Sequence, residues 1–179
     1  MTTIQKSTDT TELEMLVAFS DLIQFARYAR GRSNREIFEL MADYCEMVGD
    51  ITSEGGGEVI KFMGDAALMA FPEEGVDSGL AALRHLKEEG DGWCEARGMP
   101  CRHIIRAHFG DVVKGRIGTR DNKRVDIFGE TVNTAFLVKS SGLAVTPQLF
   151  RKLGKDVRTF LKKHTPPVTY IGAHERHQD

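Results

Sequence analysis

Two aspartates carry the first chemical signal in this chain. Asp21 lies near the end of the apolar run 15–23, and Asp65 lies in a Gly64-Asp65 step between the strand-like runs 58–63 and 66–71. Carboxylates at a strand end and a hairpin tip converge on one point when the two strands are neighbours in a sheet. A converged pair repels itself unless a cation sits between, and hard oxygen donors of this kind suit Mg2+ or Mn2+. The same spacing has a plainer reading, because Gly-Asp is a common turn former. Spacing alone leaves both open.

The elements that must position these residues follow from periodicity. Residues 15–23 are more strand than helix by length. Ser33 and Glu36 have capping-box spacing, and Ile37, Leu40, Met41, Tyr44 and Val48 recur at helical intervals, so a helix should run to about Ser53 and stop at Gly55-Gly56-Gly57. Two strands then meet at Gly64-Asp65, Pro72 ends the second, and Val76, Leu80, Leu83 and Leu86 mark a helix reaching about Gly98. Strands are expected at 102–109 and 112–117, meeting in a Gly110-Asp111 turn, and at 124–128. A helix over 131–139 and a last strand over 168–172 complete the pattern. The order β-α-β-β-α-β-β-β-α-β implies an α+β fold, a mainly antiparallel sheet with helices packed on one face. Trp93, Met41, Met47, Met63 and Met69 fit core positions.

Composition narrows the functional classes. At 179 residues the chain has the length of one domain, and residues 1–12 read as a flexible N-terminus ahead of a single domain over 13–179. Lys+Arg total 24 against Asp+Glu 26, which lacks the basic excess of a nucleic-acid binder and so disfavours an RNA-binding α+β domain. No run approaches the roughly 18 apolar residues of a membrane span. The polar segment 1–11 has no apolar signal core. Cys45, Cys94 and Cys101 are odd in number and lack CxxC spacing, so they read as reduced thiols in a cytoplasmic protein.

Four segments together resemble one family. Val17-Ala-Phe-Ser-Asp-Leu-Ile-Gln-Phe25, Gly56-Gly-Glu-Val-Ile-Lys-Phe-Met-Gly-Asp-Ala66, Gly110-Asp-Val-Val-Lys-Gly-Arg-Ile-Gly118 and Val125-Asp-Ile-Phe-Gly-Glu-Thr-Val-Asn-Thr-Ala135 are similar, in order, to the motifs of the class III nucleotidyl cyclases. The resemblance spans roughly residues 14–153 and implies a ferredoxin-like catalytic domain. It matches Asp21 and Asp65 to the family's metal-binding aspartates, which hold two divalent ions, Mg2+ or Mn2+, on a nucleoside triphosphate. It matches the corner Leu22, Ile23, Gln24, Phe25 and Ala26 to the segment whose backbone amides cradle phosphate oxygens, with Gln24 where the family has Gly and Ala26 where it has Thr. Lys61, four residues before Asp65, and Asp126, seven before Asn133, match the pair that reads the purine base. A lysine donor with a carboxylate acceptor suits adenine and so points to ATP. Asn133 matches the asparagine that orients the ribose.

One motif position departs. Four residues beyond Asn133 the family has an arginine that stabilises the transferring phosphate, and this chain has Leu137. Arg106 stands where the family often has Gly and could supply charge. Lys162 and Lys163, before Pro166-Pro167, read as a solvated loop, although the family often has a triphosphate-contacting lysine nearby. Gly55-Gly56-Gly57-Glu58 loosely resembles the diguanylate cyclase signature, but the Val-Ile that follows argues against that chemistry. Because the family builds its sites between two domains, the resemblance implies a homodimer with two composite sites. It implies conversion of ATP to 3′,5′-cyclic AMP and pyrophosphate, weakly if residue 137 matters. The alternative is a catalytically inactive nucleotide-binding or dimerising module.

Overall fold

The computed structural model describes residues 10–165 and 167–175. The chain runs β1 (Thr10–Ile23), α1 (Phe25–Ala29), α2 (Asn34–Glu54), β2 (Glu58–Met63), β3 (Ala66–Pro72), α3 (Val76–Ala96), β4 (Arg102–Gly118), β5 (Lys123–Phe128) and α4 (Glu130–Leu137). It continues through β6 (Leu143–Val145), α5 (Pro147–Lys152), α6 (Lys155–Arg158), β7 (Leu161–His164) and β8 (Thr169–Gly172). The strands form one sheet in the order β2-β3-β1-β4-β6-β8-β7, with β5 paired to the C-terminal half of β4. β4 and β6 run parallel, and the other pairings are antiparallel.

Alternation along β1 divides the interior in two. Leu16, Ala18 and Leu22 enter a large core with Tyr44 and Val48 of α2 and Leu80, Leu83 and Leu86 of α3. Met15, Val17 and Phe19 enter a smaller core on the opposite face, closed by Ala135 and Val132 of α4. Period-2 geometry in a central strand produces this split. Each fully buried large side chain contributes roughly 1.5–3 kcal/mol. The two long helices therefore share one face, as expected, whereas α4 lies against the other. That second face carries the site.

α2 begins with the reciprocal cap its sequence encodes: Ser33 Oγ accepts from Glu36 N at 3.2 Å, and Ser33 N donates to Glu36 Oε2 at 2.7 Å. Under the sheet, His103 is fully buried between Tyr44 Oη at 2.9 Å and the Leu86 carbonyl at 3.0 Å. A carbonyl only accepts, so the neutral ring carries its proton on Nδ1 and Tyr44 donates to Nε2. Gly90 is required here, because a Cβ at that position would fall 2.1 Å from His103 Nδ1. Burial pushes the His103 pKa down to about 4 from an ordinary 6.5. The unfolded chain then binds a proton that the folded chain refuses, and stability present above pH 6.5 is lost as pH falls toward 4. From pH 7.5 to 5 this one group should cost about 2 kcal/mol of unfolding free energy. Urea titrations at both pH values should show that drop in the wild type and a correspondingly smaller one in His103→Gln.

Several expectations need correction. Residues 102–109 and 112–117 are not two strands joined at Gly110-Asp111 but one 17-residue strand, β4, paired with β1 from Ile23↔Arg102 to Thr10↔Gly115. Gly110 serves close approach, since a Cβ there would lie 2.7 Å from Thr131 Oγ1. β1 starts at Thr10, inside the segment read as a flexible N-terminus; residues 1–9 lie outside the described residues. α4 ends at Leu137, and Val138 is already extended. Lys162 and Lys163 belong to β7 and not to a loop, with Lys162 Nζ donating to the Ala173 carbonyl at 2.9 Å. Met63 is 42% exposed and so is no core residue.

Candidate active site

The two aspartates meet. β1 and β3 are hydrogen-bonded neighbours in register Ser20↔Ala67, so the end of β1 lies beside the turn that starts β3. Gly64 supplies the positive φ of 67° that this turn needs. The Asp65 carboxyl is held above its ordinary pKa, first by burial and then by the charge of Asp21 and a hydrogen bond with its side chain. Two partly buried, mutually repelling hard-oxygen donors fit a divalent cation. Among the described residues no group of three or more His, Cys, Asp or Glu side chains gathers around one point. The remaining ligands would come from backbone carbonyls, phosphate and water.

Next to the pair stands Arg106. Its Nη2 lies 3.6 Å from Asp21 Oδ2, and its Nη1 donates to the Phe136 carbonyl at 3.0 Å. Phe19 is the register partner of Arg106, and Asp21 is two residues further along the same face of β1, which explains the contact.

The corner after Asp21 is tight. Gln24 has φ 70°, a left-handed conformation that costs a non-glycine residue roughly 1 kcal/mol. Gly is thus the natural occupant, and the chain keeps the geometry without it. Leu22 and Phe25 are buried in the large core, so their side chains anchor the corner and only their backbone can face a ligand. Ile23 is half-buried, and Gln24 and Ala26 are exposed.

Lys61 and Asp126 also come together. They lie on β2 and β5, strands that are not neighbours in the sheet, yet Lys61 Nζ donates to both Asp126 oxygens at 2.9 and 2.7 Å. Ile127 N donates to Asp126 Oδ1 at 2.8 Å and fixes the carboxylate. A second ion pair, Lys114 with Glu58, joins β2 to β4, the strand on which β5 is paired. On α4, Asn133 and Leu137 are both exposed one turn apart, Leu137 to 74%. His108 is satisfied by Thr146 Oγ1 at 2.8 Å, which fits a structural role.

The chain belongs to a known family: residues 8–163 match the adenylate and guanylate cyclase catalytic domain. It is 27% identical over 129 residues to an adenylate cyclase of Anabaena cylindrica, covering 68% of this chain and 26% of the relative. It is 24% identical over 173 residues to adenylate cyclase 2 of Rhizobium meliloti, covering 90% and 46%. The chain thus spans between a quarter and a half of the length of these relatives. In fold it is similar to the adenylyl cyclase CyaB from P. aeruginosa, with a TM-score of 0.80 at 15% identity, covering 94% of this chain and 97% of that one. It is also similar to the guanylyl cyclase Cya2, with a TM-score of 0.70 at 19% identity, covering 89% and 91%. Likeness at such identity establishes the fold and not the substrate. Among the described residues no helix is long and apolar enough to cross a membrane.

Proposed function

We infer that this domain binds metal-ATP and forms 3′,5′-cyclic AMP and pyrophosphate in a homodimer, slowly. The observation that carries the choice of nucleotide is the Lys61–Asp126 pair, which holds a cationic donor and a carboxylate acceptor side by side, the complement in kind of adenine's N1 acceptor and 6-amino donor. Asp21 and Asp65 would hold Mg2+ or Mn2+, two ions when the triphosphate is bound; the metal supplies activation of the ribose 3′-hydroxyl and charge neutralisation on the phosphates. The corner 22–26 orients phosphate oxygens through its backbone, and Asn133 orients the ribose. Composite sites between two copies would place Asp21 and Asp65 of one opposite Lys61, Asp126 and Asn133 of the other. That arrangement makes the monomer inactive. No nucleic acid enters this reading, and a cytoplasmic location accords with the reduced thiols.

Leu137 favours a second reading. An exposed leucine offers no charge to the developing anion, so the domain would act as a nucleotide-binding, dimerising module without turnover. Both readings require adenine selectivity. Exchanging Lys61→Glu together with Asp126→Ser should shift the preference from ATP toward GTP by about 1–3 kcal/mol, since a mismatched base leaves buried polar groups unpaired. Competition binding with the two nucleotides measures it. Wild-type protein that prefers GTP would refute the adenine assignment.

A further inference from the structure

Arg106 is the residue the cyclase reading does not absorb. It projects from β4 onto the face that carries Asp21, with only 18% of its side chain exposed. It is held there from a second side, because Nη1 donates to the Phe136 carbonyl in the last turn of α4 and the guanidinium lies 5.7 Å from the Phe136 ring. That ring in turn packs edge-on against Phe19 at 5.4 Å. The cation is therefore fixed beside the carboxylates by strand register, a helix-end carbonyl and an aromatic wall.

The contact with Asp21 itself is loose. At 3.6 Å it is an ion pair longer than a good hydrogen bond, whereas a bound Mg2+ would sit roughly 2.1 Å from the same oxygen. A divalent cation can displace such a contact, but the anchored guanidinium cannot withdraw far. Its charge lowers the local total of the carboxylate pair from −2 to −1 and remains as a repulsive neighbour once metal arrives. Resting on the reading of Asp21 and Asp65 as a metal pair, we propose that Arg106 is a resident counter-ion that competes with divalent metal for Asp21. Metal affinity in this domain is weaker than two facing carboxylates alone would give, and Asp65, which Arg106 does not reach, becomes the dominant protein ligand.

Mn2+ titration of nucleotide-free protein, read by the loss of the free-ion paramagnetic resonance signal, tests this. Arg106→Gln removes the charge and keeps an amide donor for the Phe136 carbonyl; it should tighten Mn2+ by at least about tenfold. Arg106→Lys keeps the charge and should bind like wild type. In an Asp21→Asn background the gain from Arg106→Gln should shrink severalfold, because the contested oxygen has lost its charge and only the repulsion between guanidinium and metal is left to relieve. Circular dichroism melts confirm that each variant is folded. Unchanged or weaker Mn2+ binding in folded Arg106→Gln, or an equal gain without Asp21, overturns the counter-ion. Mn2+ binding that survives Asp65→Asn unchanged in every background instead overturns the metal-pair reading on which it stands.

Discussion

Asp65→Asn should weaken metal-dependent ATP binding by about a hundredfold or more, since it removes one of two charged protein ligands from a divalent site. The fold should not suffer. Burial and the Asp21 charge already disfavour the ionised form of Asp65, so a neutral amide of the same shape relieves repulsion instead of creating it. The melting temperature of the metal-free variant should equal or exceed that of the wild type. Asp21→Asn should weaken metal-dependent binding by a smaller factor, and it also strands Arg106, so its thermal gain should be smaller. Calorimetry with Mn-ATP and thermal melts without metal give both numbers. Unchanged Mn-ATP affinity in both variants would dissolve the site.

Leu137→Arg should raise cyclic AMP formation by at least about tenfold, a modest share of what such an arginine supplies in phosphoryl transfer. The position is suited to the change: residue 137 is 74% exposed at the end of α4, one turn from Asn133, so a guanidinium meets no steric or desolvation cost. A cation at a helix C-terminus is also favourable there. Arg106 is no substitute in the resting chain, because its charge is engaged by Asp21 and the Phe136 carbonyl. A wild type already as fast as the variant would show that another group fills the role.

The site was more legible than the frame around it. Asp21 and Asp65 could be placed because a strand end and a hairpin tip are local features, and their convergence needed only that β1 and β3 be neighbours. Lys61 and Asp126 were harder, since β2 and β5 are separated in the sheet order, and only resemblance to a motif put them in register. Gly110-Asp111 misled because glycine has two uses. It permits turns, but it also lets another backbone or side chain come close, and Thr131 is what comes close here. Segments α5, α6 and β7 have six residues or fewer, too short for a period to emerge. The Arg106–Asp21 contact was invisible for a different reason: it depends on the β1–β4 register, which no local pattern in either strand specifies.

The most direct test of the account is cyclic AMP formation from Mn-ATP by purified wild-type and Leu137→Arg protein, measured across a hundredfold range of protein concentration. The wild type should form product slowly and the variant faster. In both, activity per mole of chain should rise with concentration as dimers assemble, and Asp65→Asn should abolish it. No cyclic AMP from either protein at any concentration, or activity per chain that stays constant on dilution and survives Asp65→Asn, would contradict it.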